Sequence, residues 1–128
     1  MRNRLLAALA ILVLPAALGG CEKKLDAPTD PQVCWSMAVT KDGKVKFNKV
    51  AEHVPDLEHC AAQLEAMRIK FLSLGGTQTE ITGEYQGSFL FLQREGVFTA
   101  QSYEGARYPF MVRTGDGRLA VPGAMPQQ

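Results

Sequence analysis

The chain has 128 residues, and its 14 basic and 13 acidic side chains give a formal net charge of +1. That balance offers no basic excess for gripping a nucleic-acid backbone, and a hydrophobic content of 46% argues against intrinsic disorder. No apolar run reaches the ~18 uninterrupted residues of a membrane-spanning helix, so a single domain with one modest core is the expected class.

The first 20 residues contain no acid: Met1-Arg2-Asn3-Arg4 is a short basic end, Leu5 to Leu14 is a run of ten apolar residues, Pro15 breaks it, and Ala16-Ala17-Leu18-Gly19-Gly20 follows. This reads as an export signal over 1–20. Removing it leaves 108 of the 128 residues and 12 of the 14 basic side chains, a mature balance of −1. Leu18-Gly19-Gly20-Cys21 resembles the lipobox of bacterial lipoproteins, with an aliphatic residue three positions before the cysteine and small residues between. The resemblance implies cleavage after Gly20, a diacylglyceryl thioether on Cys21 and acylation of the freed amine, which together anchor the chain in membrane lipid. An ordinary export signal ending beside a cysteine is the alternative. Glu22 in the second mature position resembles an outer-membrane address, which places the domain at the periplasmic surface. Residues 21–32, polar and carrying Pro28 and Pro31, read as a lipidated tether. Extended at ~3.3 Å per residue, it would hold the domain up to roughly 35 Å from the bilayer.

With Cys21 assigned to lipid, Cys34 and Cys60 remain in an oxidising compartment, so one disulfide is expected. Its loop spans 26 positions, and closing it stabilises the fold by about 3–4 kcal/mol in the chain-entropy picture.

The domain proper is expected over 33–122. Val33–Thr40 and Lys44–Phe47 alternate in β fashion about Lys41-Asp42-Gly43, which predicts an N-terminal hairpin. Val33, Trp35, Met37 and Val39 share one face; Cys34, Ser36, Ala38 and Thr40 share the other and leave room for a close neighbour. Residues 54–74 predict an amphipathic helix, with Pro55 in its first position, Asp56 and Glu58 complementing its N-terminus, and Gly75-Gly76 ending it. Its apolar arc holds Leu57, Cys60, Ala61, Leu64, Met67, Phe71, Leu72 and Leu74, so Cys60 points inward. Arg68 breaks that arc, its head reaching water or Glu65 one turn back, or else holding an anion or a partner carboxylate. Nine of the 12 glycines fall in 75–123 and cut that stretch into short aromatic and β-branched runs, which predicts an antiparallel meander. The strands are Thr79–Tyr85, Ser88–Gln93, Val97–Tyr103, Ala106–Val112 and a short Arg118–Val121, with turns at Gln86-Gly87, Arg94-Glu95-Gly96, Glu104-Gly105 and Thr114–Gly117. Phe89-Leu90-Phe91-Leu92 is apolar on both faces, as in a central strand, and Pro109 requires an edge or a bulge. Residues 123–128 read as a frayed end. The fold class is therefore a small α+β domain, with the helix packed on one face of the sheet.

Among candidate sites, Lys41, Lys44, Lys46 and Lys49 form a basic hairpin suited to anionic headgroups or to guarding a strand edge. His53 and His59, with Glu52, Asp56 and Glu58, mark the start of the helix and offer acid–base or metal chemistry only if they converge. Ser102-Tyr103-Glu104-Gly105-Ala106-Arg107-Tyr108, followed by Arg113-Thr114-Gly115, is faintly similar to small periplasmic lipoproteins that inhibit lysozyme. That resemblance implies two sites flanking an inserted loop. Arg113 stands where that family usually has lysine, and the predicted helix has no place in its all-β barrel. No nucleophile elbow, phosphate-binding loop or spaced metal set occurs, and no cofactor is expected. The sequence thus points to a non-enzymatic envelope lipoprotein whose partners are membrane lipid and an envelope protein. The alternatives are an anion- or small-molecule-binding module using Arg68 and Arg107, an inhibitor-like protein contacting its target through Arg107 and Arg113, and a small hydrolase.

Overall fold

Residues 25–122 are described by a computed structural model; the export signal, Cys21 and residues 123–128 lie outside the described residues. Seven strands and one helix follow in the order β1 (Cys34–Val39), β2 (Val45–Ala51), α1 (Leu57–Ser73), β3 (Ile81–Tyr85), β4 (Ser88–Gln93), β5 (Gly96–Ala100), β6 (Tyr108–Arg113) and β7 (Leu119–Ala120). All pairings are antiparallel, in the sheet order β2-β1-β3-β4-β5-β6-β7. The small α+β domain expected from the sequence is thus present.

Each turn has a local cause. Gln86 and Gly87 both have positive φ, 47° and 89°, as a two-residue hairpin between right-twisted strands requires. Asp56 caps α1 through its carboxylate, which accepts the His59 N–H at 2.8 Å. The helix therefore begins at Leu57, and Pro55 precedes the cap instead of occupying the first helical position. At the other end the Gly76 and Gly75 N–H groups donate back to Phe71 and Leu72 carbonyls, with Gly75 at φ 87°, which closes the last turn.

Alternation gives the sheet two apolar faces. On the first, α1 lies over β1 to β4, and Cys34, Cys60, Ala61, Leu64, Ile81, Leu90, Leu92 and Val97 form the main core. On the second, Phe89, Phe91 and Ala100 are buried beneath Leu25, Ala27, Met37, Phe47, Phe98 and Tyr103. β4 is fourth of the seven strands and buried on both faces, which explains its uninterrupted apolar run.

Several boundaries depart from the sequence pattern. β2 runs on to Ala51 because a register shift at Cys34/Trp35 lets the pairing continue. β5 ends at Ala100, three residues early, because Tyr103 folds back onto the rings of Phe89 and Phe91. Pairing of Val97 with Met111 and Phe98 with Pro109 leaves Phe110 bulged, the irregularity that Pro109 demanded. Phe71 and Leu74, expected in the core, are 46% and 75% exposed. Phe71 and the cap residue Leu74 lie at the C-terminal end of α1, beyond Cys60, Ala61, Leu64 and Glu65, the helix residues that are buried.

Candidate functional site

Glu65 is the centre of the most highly organised polar cluster. It lies on the buried side of α1, 2% exposed, and its two oxygens take four N–H bonds. Arg68, one turn on, donates from Nε at 2.9 Å and from Nη2 at 2.7 Å. Arg113 arrives from the end of β6, 48 positions away, and donates from Nε at 2.7 Å and Nη2 at 3.1 Å. Its Nη1 reaches the carbonyls of Gln93 and Arg94, at 2.5 and 3.1 Å, in the β4–β5 turn. Burial pushes the Glu65 carboxyl upward, but the hydrogen bonds and charges of the two guanidinium groups outweigh it and hold the group below the ordinary carboxylate value. The arrangement joins α1 to the β4–β6 side of the sheet. Both arginines are committed to it, so the carboxylate that Arg68 was expected to hold is that of its own chain.

An open groove of about 430 Å³ runs between α1 and the β1–β2 hairpin, with Ser36, Asn48, Gln63 and Lys70 on its walls. Its origin is the contact of Leu64 with Gly83: a Cβ at Gly83 would lie 2.2 Å from Leu64 Cδ1. The helix is therefore seated on β3, and the small side chains of β1 leave the space beside it unfilled. A smaller hollow of about 200 Å³ includes Glu58, His59 and Met111.

The second sheet face carries the other buried acid. Glu84, fully buried opposite Trp35, accepts the Gly87 N–H through Oε1 at 2.5 Å. Its Oε2 and the Trp35 Nε1 have no hydrogen-bond partner among the described residues. Burial raises the Glu84 carboxyl above its ordinary value, the Gly87 N–H opposes this, and the charge of Asp30 adds to it. Arg107 stacks on this face, its guanidinium carbon 3.6 Å from the centroid of Phe91. Arg68 and Arg107 thus lie on opposite sides of the sheet, and no single anion site uses both. Arg113 and Arg107 are likewise separated, at the two ends of β6, and the residues between them form a strand instead of an inserted loop.

The basic hairpin is partly neutralised. Lys44 pairs with Asp42 at 3.7 Å, and Lys49 pairs with Glu52 at 2.6 Å while lying 5.9 Å from the Trp35 ring centroid. Lys41 and Lys46 are exposed. β2 is an edge strand, so the edge-guarding role of these lysines has its structural basis. At the helix start, His59 Nδ1 sits 2.6 Å from Asp56 Oδ1, whereas Glu52 turns to Lys49 and His53 adopts a left-handed φ of 56°. Among the described residues no group of three or more potential metal ligands converges. Cys34 and Cys60 are joined in a disulfide with a Cα separation of 5.3 Å.

The sequence pattern gave no indication of Glu84, and it placed Glu65 only as an optional partner of Arg68. A signal for Glu65 did exist, since it lies beside Leu64 and Ala61 on the apolar arc. Glu84 occupies a position in β3 where alternation with Ile81, Gly83 and Tyr85 suggests solvent, because a second covered face cannot be read from one strand. Comparison with protein-family models, with curated proteins and with solved structures finds no match to this chain.

Proposed function

We propose that this chain is a lipid-anchored, non-enzymatic envelope lipoprotein whose domain binds a protein partner or supports an assembly at the periplasmic surface. The observation that carries the reading is Leu18-Gly19-Gly20-Cys21 at the end of a basic-then-apolar leader. Two features of the folded part support it. Arg68 and Arg113, which a ligand-binding role would need, are committed to Glu65, and Arg107 is stacked on Phe91. The disulfide joining β1 to α1 suits an oxidising compartment. No helix among the described residues is long and apolar enough to cross a membrane. The inhibitor-like alternative loses support from the β5–β6 loop, which folds back onto the sheet through Tyr103 instead of projecting. The groove beside α1 keeps a small-molecule-binding reading as the second possibility.

Mass analysis of membrane-extracted protein tests the anchor: a fatty-acylated N-terminal Cys21 is expected, and an unmodified cysteine refutes it. In-cell crosslinking followed by affinity capture tests the partner. Recovery of a discrete envelope protein, lost when the exposed helix end around Phe71 and Leu74 is made polar, supports the interaction module. Recovery of lipid alone, with a small molecule that raises the melting temperature through the groove, favours the second possibility.

A further inference from the structure

The tether is shorter than its sequence suggests. Residues 25–32 form no regular element, yet Leu25 and Ala27 pack against the Phe89/Phe91/Ala100 cluster on the second face of the sheet. The Gln32 N–H donates to Gln86 Oε1 at 2.7 Å, and its carbonyl accepts the Val54 N–H at 2.9 Å. Only Glu22, Lys23 and Lys24 separate Cys21 from Leu25. Four Cα steps at ~3.3–3.6 Å each span at most roughly 14 Å. A domain of about 100 residues has a radius of gyration of about 13 Å and is therefore roughly 34 Å across. A leash of that length, fixed to one face, cannot let the domain turn over.

From this, and resting on the proposed acylation of Cys21, we infer that the second sheet face is the membrane-docking surface, seated on the anionic headgroup region of the bilayer that holds the anchor. The uncovered part of this face has the chemistry for it. Val39, 59% exposed, lies with Met37, Val45 and Phe47 in an apolar strip that continues from the cluster under Leu25 to the hairpin tip. The exposed Lys41 at the tip and Arg107 on this face supply cations beside it, whereas Lys49, on the same face, is paired with Glu52. An apolar strip flanked by cations matches an interface with acyl chains below and anionic headgroups around. α1, its groove and the exposed Phe71 and Leu74 then face away from the membrane, where a periplasmic partner can reach them.

Trp35 is the single tryptophan and lies on this face, which provides the probe. The full-length protein, extracted from membranes, is reconstituted into phosphatidylethanolamine and phosphatidylglycerol vesicles carrying a dansyl headgroup acceptor. Energy transfer from Trp35 is expected to exceed that from the Trp35→Phe/Gln63→Trp protein, whose tryptophan lies on exposed α1. Substituting Leu25→Asp, which releases the leash from the sheet, is expected to reduce transfer from Trp35 without altering acylation. Equal transfer from the two positions, or stronger transfer from position 63, in protein whose Cys21 is acylated by mass overturns the docking face alone. An unacylated Cys21 overturns the anchor and the docking face together. Should the double variant fail to fold, Leu25→Asp in the native background decides, and unchanged transfer there refutes the inference.

Discussion

Replacing Glu65 with glutamine removes one negative charge and leaves the shape of the side chain nearly intact, so its effect reports the electrostatics of the cluster more than its packing. In the native protein the carboxylate is 2% exposed and the side chains of Arg68 and Arg113 are 12% and 21% exposed. An amide can accept through only one oxygen, and its NH₂ group meets guanidinium N–H donors on the other side. The substitution therefore leaves two largely buried cations without an anion, a change that costs about 3–5 kcal/mol when a buried pair is broken from one side. Against a total of about 5–15 kcal/mol for a domain of this size, that is roughly a fifth or more of the stability. The melting temperature should fall by roughly 12–40 °C at about 4–8 °C per kcal/mol. Urea denaturation of the wild-type and Glu65→Gln proteins at neutral pH measures it directly. Replacing all three residues, Glu65→Leu with Arg68→Met and Arg113→Met, should cost less than Glu65→Gln alone, because no charge is then stranded. Arg113→Met should cost more than Arg68→Met, since only Arg113 also serves the Gln93 and Arg94 carbonyls. The acid limb supplies an independent check. The folded-state carboxyl is held below its unfolded value near 4.3, so its contribution is complete above that pH and is lost as pH falls through the folded value. Glu65→Gln should lack that part of the acid sensitivity. A loss below about 1 kcal/mol at neutral pH, or an acid limb identical to wild type, would refute the assignment of Glu65 as an ionised clamp.

The opposite sign is expected at Glu84, whose folded-state value is raised by burial: its contribution is complete below the unfolded value and declines as pH rises through the folded one. Glu84→Gln, which keeps an acceptor for Gly87, should raise stability at neutral pH and leave it unchanged at acid pH, and denaturant titration across pH shows it. Gly83→Ala should destabilise by about 1–3 kcal/mol, because the added methyl would lie 2.2 Å from Leu64 Cδ1 and 2.8 Å from the Trp35 carbonyl; a thermal melt decides. Replacing Cys34 and Cys60 together by alanine should cost about 3.5 kcal/mol through the 26-position loop, read from urea midpoints under non-reducing conditions.

How legible these features were depends on how local their causes are. The Gln86-Gly87 hairpin, the Gly75-Gly76 stop and the inward Cys60 each rest on a few neighbouring residues, and they stand where periodicity and turn chemistry put them. The two-sided apolar run of β4 even announced its central position. What stayed hidden was set by partners distant in sequence. Phe71 and Leu74 fit the helical arc, and their exposure depends on where the packing of other segments against α1 stops. Glu65 has one local partner in Arg68, but the second half of its clamp comes from Arg113, 48 positions away.

The second sheet face combines both effects and links the hidden part of the fold to the function. Trp35, Met37, Phe89 and Phe91 alternate correctly for a face that needs cover, but among the described residues no helix lies over it. Part of the cover comes from Leu25 and Ala27, in a stretch whose prolines and charges read as a tether in the sequence. Those identifiers are sound for local structure, since the segment forms no helix or strand, and they mislead only about distance. An apolar residue at position 25 would be unnecessary in a spacer whose task was to hold the domain far from the bilayer. On the covered face it buries apolar surface beside Phe89 and Phe91, and under the proposed acylation of Cys21 the same contact would shorten the leash and fix which side of the sheet meets the membrane.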